Sequence, residues 1–501
     1  MPKTIKLSMD NNYILAIDQG TSGTKAIIFN DKGHALAKAT EPLHTMYSEG
    51  GFVEQDAEGI YTNVLAAVKN CLAEFTVQGG DVTDIKTCGI SNQRETFVVW
   101  NEFGQPLYNA VVWQCKRSVD ICKELLAQGL EPEIRAKTGL IIDPYFSGTK
   151  LMWLHQHIPL VAATVGEGQA HFGTIDTWLL YKLTKGKKYL TDHTNASRTL
   201  FFNLETLQWD KELLGRFGLE NLKLPEILPS SAKYGDTDFG GLLPDTIPVM
   251  SMIGDSHAAA FGEGCVTPGT AKATLGTGCS IIMNIGNKPV ASGNGMVTTL
   301  CWSTAQQVNY ALEGVIVSAG STIEWLKNEL GIIDNVSQAE AMANAVADNN
   351  GVYLVPAFSG LGAPHWDMSR KAGISGLTFD CNKNHVVRAG LESIAYQIKD
   401  VIDAMQADTG ITLNELMVHG GLSANRFVLD FLADLLDNKL VRSQMPDVSA
   451  LGAALLAGLK AGIFKDLAAI KTLNTQKETI AKGTYSENMA RYYQGWQQAV
   501  K

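Results

Sequence analysis

The sequence has 501 residues, of which 45% are hydrophobic and 18% are charged, and its formal net charge is −10 at pH 7. This composition is ordinary for a globular protein, and the length exceeds the size at which one hydrophobic core usually stops growing. The acidic balance argues against nucleic acid or an anionic membrane as the main partner, because both favour basic surfaces. We therefore expect two large domains and neither of those partners.

The eight cysteines are scattered, and none forms the close C-x-x-C pair of a zinc or redox site. We interpret them as reduced thiols that pack as small hydrophobic residues. The first residues contain no apolar stretch of signal-peptide length, and no run of 18 uninterrupted apolar residues occurs. These features predict a cytoplasmic protein.

The first half of the chain alternates between strand and helix patterns. Residues 13–40 read as three apolar runs separated by the turns "QGTSG" and "DKG", which predicts a three-stranded antiparallel meander. Residues 63–75 have apolar positions at helical spacing, and residues 85–114 read again as strands separated by polar turns. The alternation predicts an α/β protein.

The second half repeats the opening pattern of the first. Residues 269–285 read as strand, glycine turn and strand, with "TLGTGCS" standing where "DQGTSGT" stood earlier. Two copies of one supersecondary unit imply a duplicated fold with a cleft between the halves. We place the domains at 1–262 and 263–501, and we expect residues 450–464, rich in small side chains, to form a tightly packed buried helix.

The glycine turn after the first strand has the composition of a phosphate cradle. Glycines let backbone N–H groups approach an anion, hydroxyls add donors and a lysine adds positive charge; the residues are Gly20, Thr21, Ser22, Gly23 and Lys25. An ordinary hairpin turn is the alternative. Two such turns, here and at "GTGCS", suit a nucleoside triphosphate held from both sides. Asp18 at the strand end is placed to hold Mg²⁺.

The stretch "SMIGDSHAAAF" (251–261) combines a carboxylate, a hydroxyl and an imidazole at a strand-to-helix turn. Asp255 is a favoured type of helix N-cap, which gives a purely structural interpretation. In phosphoryl transfer, however, a carboxylate must accept the proton of the acceptor hydroxyl, and Asp255 is well placed for that task. We interpret His257 as a helix-packing residue.

A further Gly-Gly turn lies in "VHGGLSANRFVL" (418–429), which reads as strand, turn and helix. Gly420 and Gly421 would let a purine or ribose approach the backbone, and Asn425 would hydrogen-bond it. The alternative is a βα turn whose glycines allow tight packing.

With these residues in view, the chain resembles the FGGY family of carbohydrate kinases, in the actin and sugar-kinase ATPase superfamily, and in particular its glycerol-phosphorylating members. The resemblance runs from about Tyr13 to the C-terminus and is carried by "DQGT", "SNQRETFVVW", "VVWQCKRS", "GLIIDPYFSGTK", "TIDTWLLYKLT", "TNASRTLFFN", "NYALEG", "PAFSGLGAPHWD", "LESIAYQ" and "LGAALLAGL". It implies two ribonuclease-H-like domains that close on ATP, Mg²⁺ and a small polyol, and a homodimer or homotetramer.

The resemblance also implies site residues. The polyol contacts fall on Arg94, Glu95, Trp113, Tyr145 and Asp255, and the nucleotide contacts on Thr21, Ser22, Gly23, Lys25, Thr277, Gly320, Glu324, Gly421 and Asn425. A charged pair and an aspartate suit vicinal hydroxyls, and aromatic faces suit carbon atoms. The structural alternatives are a surface ion pair for Arg94 and Glu95, and core packing for Tyr145 and Trp113.

The chain departs from the family pattern in the first glycine turn, where "TSGTK" replaces "TTSSR", and at three further positions. Glu324 stands where the family commonly has Gln, and Ser256 and Ser280 replace a Gln and a Phe of the glycerol pocket. Two serines make a wider, more polar pocket, which suits a four- or five-carbon polyol or ketose; alternatively His257 or Phe146 refills the space for glycerol.

We expect ATP-dependent phosphorylation of a primary hydroxyl of glycerol, with the longer polyol as the alternative. A nucleotide-gated interaction protein on the same scaffold is the alternative from another class, and it would hydrolyse ATP without any dependence on a polyol.

Overall fold

The computed structural model describes residues 12–443, 445–473 and 477–501. The strands are β1 (Tyr13–Gln19), β2 (Gly23–Phe29), β3 (Ala35–Pro42), β4 (Met46–Ser48), β5 (Phe52–Gln55), β6 (Ile85–Asn92), β7 (Phe97–Trp100), β8 (Ala110–Val111), β9 (His171–Thr174), β10 (Leu190–Asp192), β11 (Phe202–Asn203), β12 (Gln208–Trp209), β13 (Glu226–Leu228), β14 (Ser231–Thr237), β15 (Ile247–Gly254), β16 (Thr270–Leu275), β17 (Cys279–Gly286), β18 (Val297–Ser303), β19 (Val308–Ile316), β20 (Tyr353–Val355), β21 (Gly373–Ser375), β22 (Glu415–His419), β23 (Leu440–Ser443) and β24 (Lys477–Ile480).

The helices are α1 (Ala57–Val77), α2 (Val119–Ala127), α3 (Glu131–Thr138), α4 (Ser147–His157), α5 (Pro159–Gly166), α6 (Ile175–Leu183), α7 (His193–Ala196), α8 (Lys211–Arg216), α9 (Asp255–Glu263), α10 (Gly320–Asn328), α11 (Gln338–Asn344), α12 (Lys383–Thr409), α13 (Arg426–Leu435), α14 (Val448–Lys460), α15 (Leu467–Leu473) and α16 (Met489–Ala499). Short 3-10 helices span Glu49–Gly51, Val82–Asp84, Gly421–Ala424 and Ser486–Asn488.

The chain forms two units. The first contains the described residues up to Gly264, together with Thr299–Tyr310 and the segment that begins at Asp447, and the second contains the described remainder. Two segments of the first unit thus come from the half of the sequence that we assign to the second domain. The first unit is thus built from segments that are far apart in the chain. No local sequence pattern shows that the chain comes back to this unit after the second unit has begun.

The main sheet of the first unit has six strands in the order β14-β15-β6-β1-β2-β3. β1, β2 and β3 pair antiparallel, which confirms the predicted meander, and β6 pairs parallel with both β1 and β15. The predicted helix over 63–75 lies within α1, whose N-cap Asp56 accepts a hydrogen bond from the Glu58 backbone. α1 buries one apolar face, which includes Val64, Val68 and Cys71, in the core of this unit.

The strands predicted over 85–114 do not form a second meander. β6 belongs to the six-stranded sheet, whereas β7 and β8 belong to a five-stranded sheet with β4, β5 and β9. The chain leaves the first sheet at Gln93–Thr96, where Glu95 adopts a left-handed backbone conformation with φ of 59°. Such a conformation is uncommon for a residue other than glycine, and here it accompanies a tight turn in which the Thr96 N–H donates to the Arg94 carbonyl at 2.6 Å.

α14 confirms the buried helix expected within 450–464, although it ends at Lys460. It packs against α9, and a Cβ atom added at Gly452 would lie 1.9 Å from the carbonyl oxygen of Ala258. The small residues of the sequence therefore allow close contact of the two helix backbones. All eight cysteines are free thiols, and each except the half-buried Cys381 is buried, as expected.

A seven-stranded sheet in the order β18-β19-β17-β16-β22-β23-β24 is formed mainly by the second unit, although Thr299–Tyr310, which includes most of β18, belongs to the first. β16 and β17 form an antiparallel hairpin, which confirms the predicted strand, glycine turn and strand, and β22 lies parallel to β16. A hairpin with a parallel third strand is also the arrangement of β1, β2 and β6, so each unit carries the repeated pattern seen in the sequence. No helix of the described residues is long and apolar enough to cross a membrane.

Candidate active site

The β1–β2 hairpin of the first unit carries the first predicted phosphate cradle. Asp18 and Lys25 are paired across the two strands, and the Gly20 N–H donates to the Gly23 carbonyl at 2.9 Å. A Cβ atom at Gly23 would lie 2.5 Å from the carbonyl oxygen of Glu41 on β3. Gly23 is therefore required by strand packing, in agreement with the hairpin interpretation.

Asp18 is a carboxylate in a poorly solvated position at the end of β1. Burial, and next the charge of Asp255, raise its pKa to about 6, and the Ser91 hydroxyl donates to its Oδ1 at 3.0 Å. Carboxylate oxygens are the donors that Mg²⁺ prefers, and a bound cation would favour the ionised form. The donor set and its electrostatics therefore fit a magnesium ion.

The Thr21 hydroxyl makes contacts that the sequence did not predict. It accepts a hydrogen bond from the indole Nε1 of Trp113 at 2.9 Å and lies 3.2 Å from Oε1 of Gln93. The Gln55 amide donates to the Thr21 carbonyl at 2.8 Å. Thr21 thus connects the glycine turn to Trp113, while the neighbouring Ser22 is exposed.

Lys25 forms an ion pair that connects β2 to α14. Its Nζ lies 2.8 Å from Oδ1 of Asp447, and Nζ of Lys38 lies 2.6 Å from Oδ2 of the same carboxylate. Although burial opposes it, hydrogen bonds from the two lysines lower the pKa of Asp447. The sequence did not predict Asp447 as the partner of Lys25, because the two residues lie 422 positions apart.

Asp255 is the first residue of α9. The N-cap is Gly254, so the capping interpretation of Asp255 is wrong. Oδ1 of Asp255 accepts from the Ser256 N–H at 2.6 Å and lies 3.2 Å from Nε of Arg94, while 39% of the side chain stays exposed. A Cβ atom at Gly254 would lie 2.7 Å from Cγ of Arg94, so the glycine permits this approach.

Two further predicted polyol residues, Tyr145 and Trp113, extend the cluster of Arg94 and Asp255. A terminal nitrogen of the Arg94 guanidinium lies 3.5 Å from the Tyr145 hydroxyl, and the rings of Tyr145 and Trp113 meet edge to face with centroids 5.6 Å apart. Tyr145 and Trp113 are only half-buried, so the core-packing alternative does not describe them. A carboxylate, a guanidinium, a phenol and an indole are therefore brought together from four chain segments.

Glu95 lies beneath this cluster. It is 1% exposed and its Oε1 lies 2.5 Å from Nε of Arg198, which is also 1% exposed. The surface ion-pair alternative is wrong, because Arg94 is only 7% exposed as well. Arg198 was not singled out in the sequence, although it belongs to the motif "TNASRTLFFN".

The second unit carries the other predicted turn. The N–H groups of Ala319 and Ser321 donate to the Thr277 carbonyl at 2.9 and 3.1 Å, and the N–H of Gly320 donates to the Gly276 carbonyl at 3.0 Å. A Cβ atom at Gly320 would lie 2.6 Å from that carbonyl oxygen. The turn between β16 and β17 is thus packed directly on the N-terminus of α10.

The Gly-Gly turn lies beside the same end of β16. Gly420 has φ of 99°, and a Cβ atom there would lie 2.4 Å from the carbonyl oxygen of Leu275. Gly421 begins a 3-10 helix, and Asn425 caps α13 by accepting from the Val428 N–H at 3.1 Å. The tight-turn interpretation therefore holds for Gly420, and Asn425 has a capping role that does not depend on a ligand.

The remaining predicted residues occupy separate positions. Glu324 lies on α10 with 54% of its side chain exposed, 3.9 Å from Nζ of Lys327. Ser256 lies on α9 of the first unit, and Ser280 lies on β17 of the second unit, opposite Thr274. The buried Oγ of Ser280 has no hydrogen-bond partner among the described residues.

Comparison with known proteins identifies the class of enzyme to which this fold belongs. The model of the FGGY family of carbohydrate kinases, N-terminal domain, matches residues 13–262, and the C-terminal domain model matches residues 271–461. A curated glycerol kinase from Shewanella baltica is 45% identical over 98% of this chain and 99% of its own length. One from Symbiobacterium thermophilum is 44% identical over 98% of both.

A solved structure agrees with these relatives. The crystal structure of Plasmodium falciparum glycerol kinase with ADP superposes with a TM-score of 0.92 at 34% identity, over 98% of both chains. The fold and the relatives together define an ATP-dependent phosphotransferase. The chain belongs to the FGGY family of carbohydrate kinases, which confirms the predicted resemblance and the α/β fold class.

Proposed function

We propose that this protein transfers the γ-phosphoryl group of ATP to a primary hydroxyl of glycerol and so forms sn-glycerol 3-phosphate. The observation that carries the proposal is the part-exposed Asp255 carboxylate, which lies 3.2 Å from Nε of Arg94, while the same guanidinium lies 3.5 Å from the Tyr145 hydroxyl. Near-full-length relatives that are glycerol kinases support the same substrate.

Asp255 is the proposed general base. As the glycerol oxygen forms its bond to the γ-phosphorus, its O–H bond breaks and the proton passes to the Asp255 carboxylate. The bond between the γ-phosphorus and the bridging oxygen breaks at the same time, and ADP leaves with the electron pair. Such a base typically contributes a factor of about 10² to 10⁴ in rate.

The polyol is proposed to lie against the half-buried aromatic pair. Arg94 and Glu95 would hydrogen-bond its hydroxyls, and Trp113 and Tyr145 would cover its carbon atoms. Ser256 and Ser280 are the two further proposed contacts.

The nucleotide is proposed to be bound by backbone-rich turns on both units. These residues are Thr21, Ser22, Gly23 and Lys25 in the first unit, and Thr277, Gly320, Glu324, Gly421 and Asn425 in the second. The N-terminus of α10 supplies the positive end of a helix dipole, which favours phosphate, although its first N–H groups donate to the Gly276 and Thr277 carbonyls. Accordingly we assign polyol and phosphate binding to 1–262 and nucleotide binding to 263–501.

Asp18 is the residue that would hold Mg²⁺. When bound, the ion neutralises charge on the phosphate oxygens during transfer. The raised pKa of Asp18 and its position near the charge of Asp255 support this assignment.

The proposal also includes the cellular location, the assembly state and the partners of the enzyme. We assign it to the cytoplasm as a homodimer or homotetramer, without nucleic-acid or membrane partners. The acidic net charge of −10 supports the last point. Light scattering of the purified protein measures the assembly directly.

The decisive experiment is a coupled ADP-release assay with glycerol, erythritol, threitol, arabitol, ribitol, xylitol, dihydroxyacetone and the common pentuloses. We expect glycerol to give the highest kcat/KM. A longer polyol or ketose that exceeds it would overturn the assigned substrate. ADP release that is independent of every polyol would indicate the nucleotide-gated interaction protein.

The matched variants are Asp255→Asn and Asp236→Asn. Asp236 is also a part-exposed, ion-paired aspartate of the first unit, 46% exposed and 3.0 Å from Nζ of Lys233. We expect the first substitution to reduce kcat about 10²- to 10⁴-fold with an unchanged circular dichroism spectrum, and the second to leave kcat unchanged. Near-normal turnover of Asp255→Asn would rule out its role as base.

A further inference from the structure

The first turn of α4 lies directly beneath the aromatic pair of the proposed polyol site. Its side chains Ser147, Thr149 and Lys150 are buried, and Lys150 is 0% exposed. The Nζ of Lys150 donates to the Tyr145 carbonyl at 2.7 Å and to the Trp113 carbonyl at 3.2 Å. One ammonium group thus joins the backbones of two residues that are far apart in the sequence.

Ser147 and Gly148, in the same turn of α4, contact the chain segments that contain Glu95 and Arg198. The Ser147 hydroxyl donates to the Glu95 carbonyl at 2.8 Å, and the Ser147 N–H donates to the Arg198 carbonyl at 3.4 Å. A Cβ atom at Gly148 would lie 2.6 Å from the Thr199 carbonyl oxygen. The start of α4 is therefore in contact with four chain segments that carry, or support, the polyol residues.

We infer that Lys150 is a positioning residue that fixes the Trp113 and Tyr145 rings for polyol binding. The inference rests on the proposed function, in which these rings cover the substrate. Lys150 touches the backbones of the two residues and acts only through their side chains.

Burial of an ammonium group is unfavourable, which makes a purely space-filling role a poor explanation for Lys150. Burial lowers its pKa to about 8, while the charges of Glu95, Cys115 and Asp143 oppose this shift and Arg117 adds to it. A methionine would fill a similar volume without that cost. Methionine cannot donate hydrogen bonds to the two carbonyls, whereas the ammonium group can. Its hydrogen bonds are charge-assisted and are therefore stronger than those between neutral groups.

The expected consequence is specific to the polyol. Without the ammonium, the two carbonyls lose a shared donor, and the edge-to-face pair loses its fixed spacing. Small displacements of positioned groups have large effects on a bound reaction geometry. The structure records no contact between Lys150 and the nucleotide turn of the second unit, but Thr21 of the first unit accepts a hydrogen bond from Trp113. We therefore expect a larger effect on polyol binding than on ATP binding.

The test compares Lys150→Met with Lys137→Met. Lys137 is a lysine of the same unit with several acidic partners, among them Asp210 at 3.2 Å, and it has no part in the proposed site. For Lys150→Met we expect the KM for glycerol, or for whichever polyol the assay identifies, to rise at least tenfold, and the KM for ATP to rise by a clearly smaller factor. For Lys137→Met we expect both constants to stay within twofold.

Amide hydrogen exchange provides a readout that does not depend on the substrate. In the ligand-free protein, peptides that contain Trp113 and Tyr145 should exchange faster in Lys150→Met, and those from the second unit should be unchanged. Unchanged exchange together with an unchanged polyol KM would overturn the role of Lys150. If the wild-type protein shows no polyol-dependent activity, the proposed function is wrong. Hydrogen exchange would still decide whether Lys150 holds the Trp113 and Tyr145 segments in place.

A second variant guards against misfolding. Lys150→Gln keeps N–H donors without the charge and is expected to give a smaller rise in the polyol KM than Lys150→Met. If neither variant folds, as judged by circular dichroism, Lys150 is a structural residue and the inference is wrong.

Discussion

Arg94 contacts Asp255 across the first unit, with Nε of the guanidinium 3.2 Å from Oδ1 of the carboxylate. The same guanidinium lies 3.5 Å from the Tyr145 hydroxyl. Arg94 therefore connects the proposed base to the aromatic part of the polyol site. This relationship gives the base a fixed direction, which a flexible aspartate at a helix start would otherwise lack.

Replacing Arg94 should impair both substrate binding and turnover. In Arg94→Met, Asp255 loses a charged partner, and a hydrogen bond to a charged group contributes about 1.5–3 kcal/mol. We expect kcat/KM for glycerol to fall roughly tenfold to a hundredfold, with the KM for ATP unchanged. Steady-state kinetics measure this, with Arg216→Met as the control, since Arg216 is 57% exposed and 3.6 Å from Glu133. An equal loss in both variants would contradict the assignment.

Arg198 should be important for stability. Arg198→Met removes the ion-pair partner of Glu95, a carboxylate that is 1% exposed, and loss of one partner of a buried pair costs about 3–5 kcal/mol. Urea denaturation of the first unit should show this loss. The double variant Arg198→Met with Glu95→Gln should recover part of it, because the Glu95 carboxylate is then no longer buried without its charged partner. A double variant less stable than the single one would argue against the ion pair.

Gly320 should be required for nucleotide binding. In Gly320→Ala the new Cβ would lie 2.6 Å from the Gly276 carbonyl oxygen, so the turn and the α10 N-terminus must separate. We expect a higher KM for ATP and an unchanged KM for glycerol. The control is Gly373→Ala in the same unit, where a Cβ atom would meet nothing within 4 Å. If Gly320→Ala raises the glycerol KM instead, the nucleotide assignment of this turn is wrong.

The free energy of unfolding should depend on pH because of Lys150. Burial lowers its pKa from 10.5 to about 8 in the folded chain, despite the opposing charges of Glu95, Cys115 and Asp143. Between these two values the unfolded chain holds a proton that the folded chain has lost, so the stability of the wild type should rise with pH. Lys150→Met lacks this group. The difference in unfolding free energy, wild type minus variant, should therefore increase between pH 8 and 10, and a flat difference would show an unshifted lysine.

Several features of the fold follow from local sequence patterns. The β1–β2–β3 meander, helix α1 and the β16–β17 hairpin were predicted from apolar periodicity and glycine turns, because these elements pair with sequence neighbours. The same reasoning failed at β6, which pairs with β1 and β15 rather than with β7. A parallel pairing across long sequence separation leaves no mark in the local pattern.

The sequence by itself determined the α/β class, the two glycine turns and the family, since long motifs and periodic apolar residues are properties of the chain in order. Only the tertiary structure decided the partners: Asp447 for Lys25, Arg198 for Glu95, Trp113 for Thr21, and Lys150 beneath the aromatic pair. Each of these contacts joins residues that are distant in sequence, except that Lys150 lies only five residues from Tyr145 while it also reaches Trp113, 37 residues away. Such contacts depend on how whole strands and helices pack, and that information is spread over the entire core rather than held in any one motif.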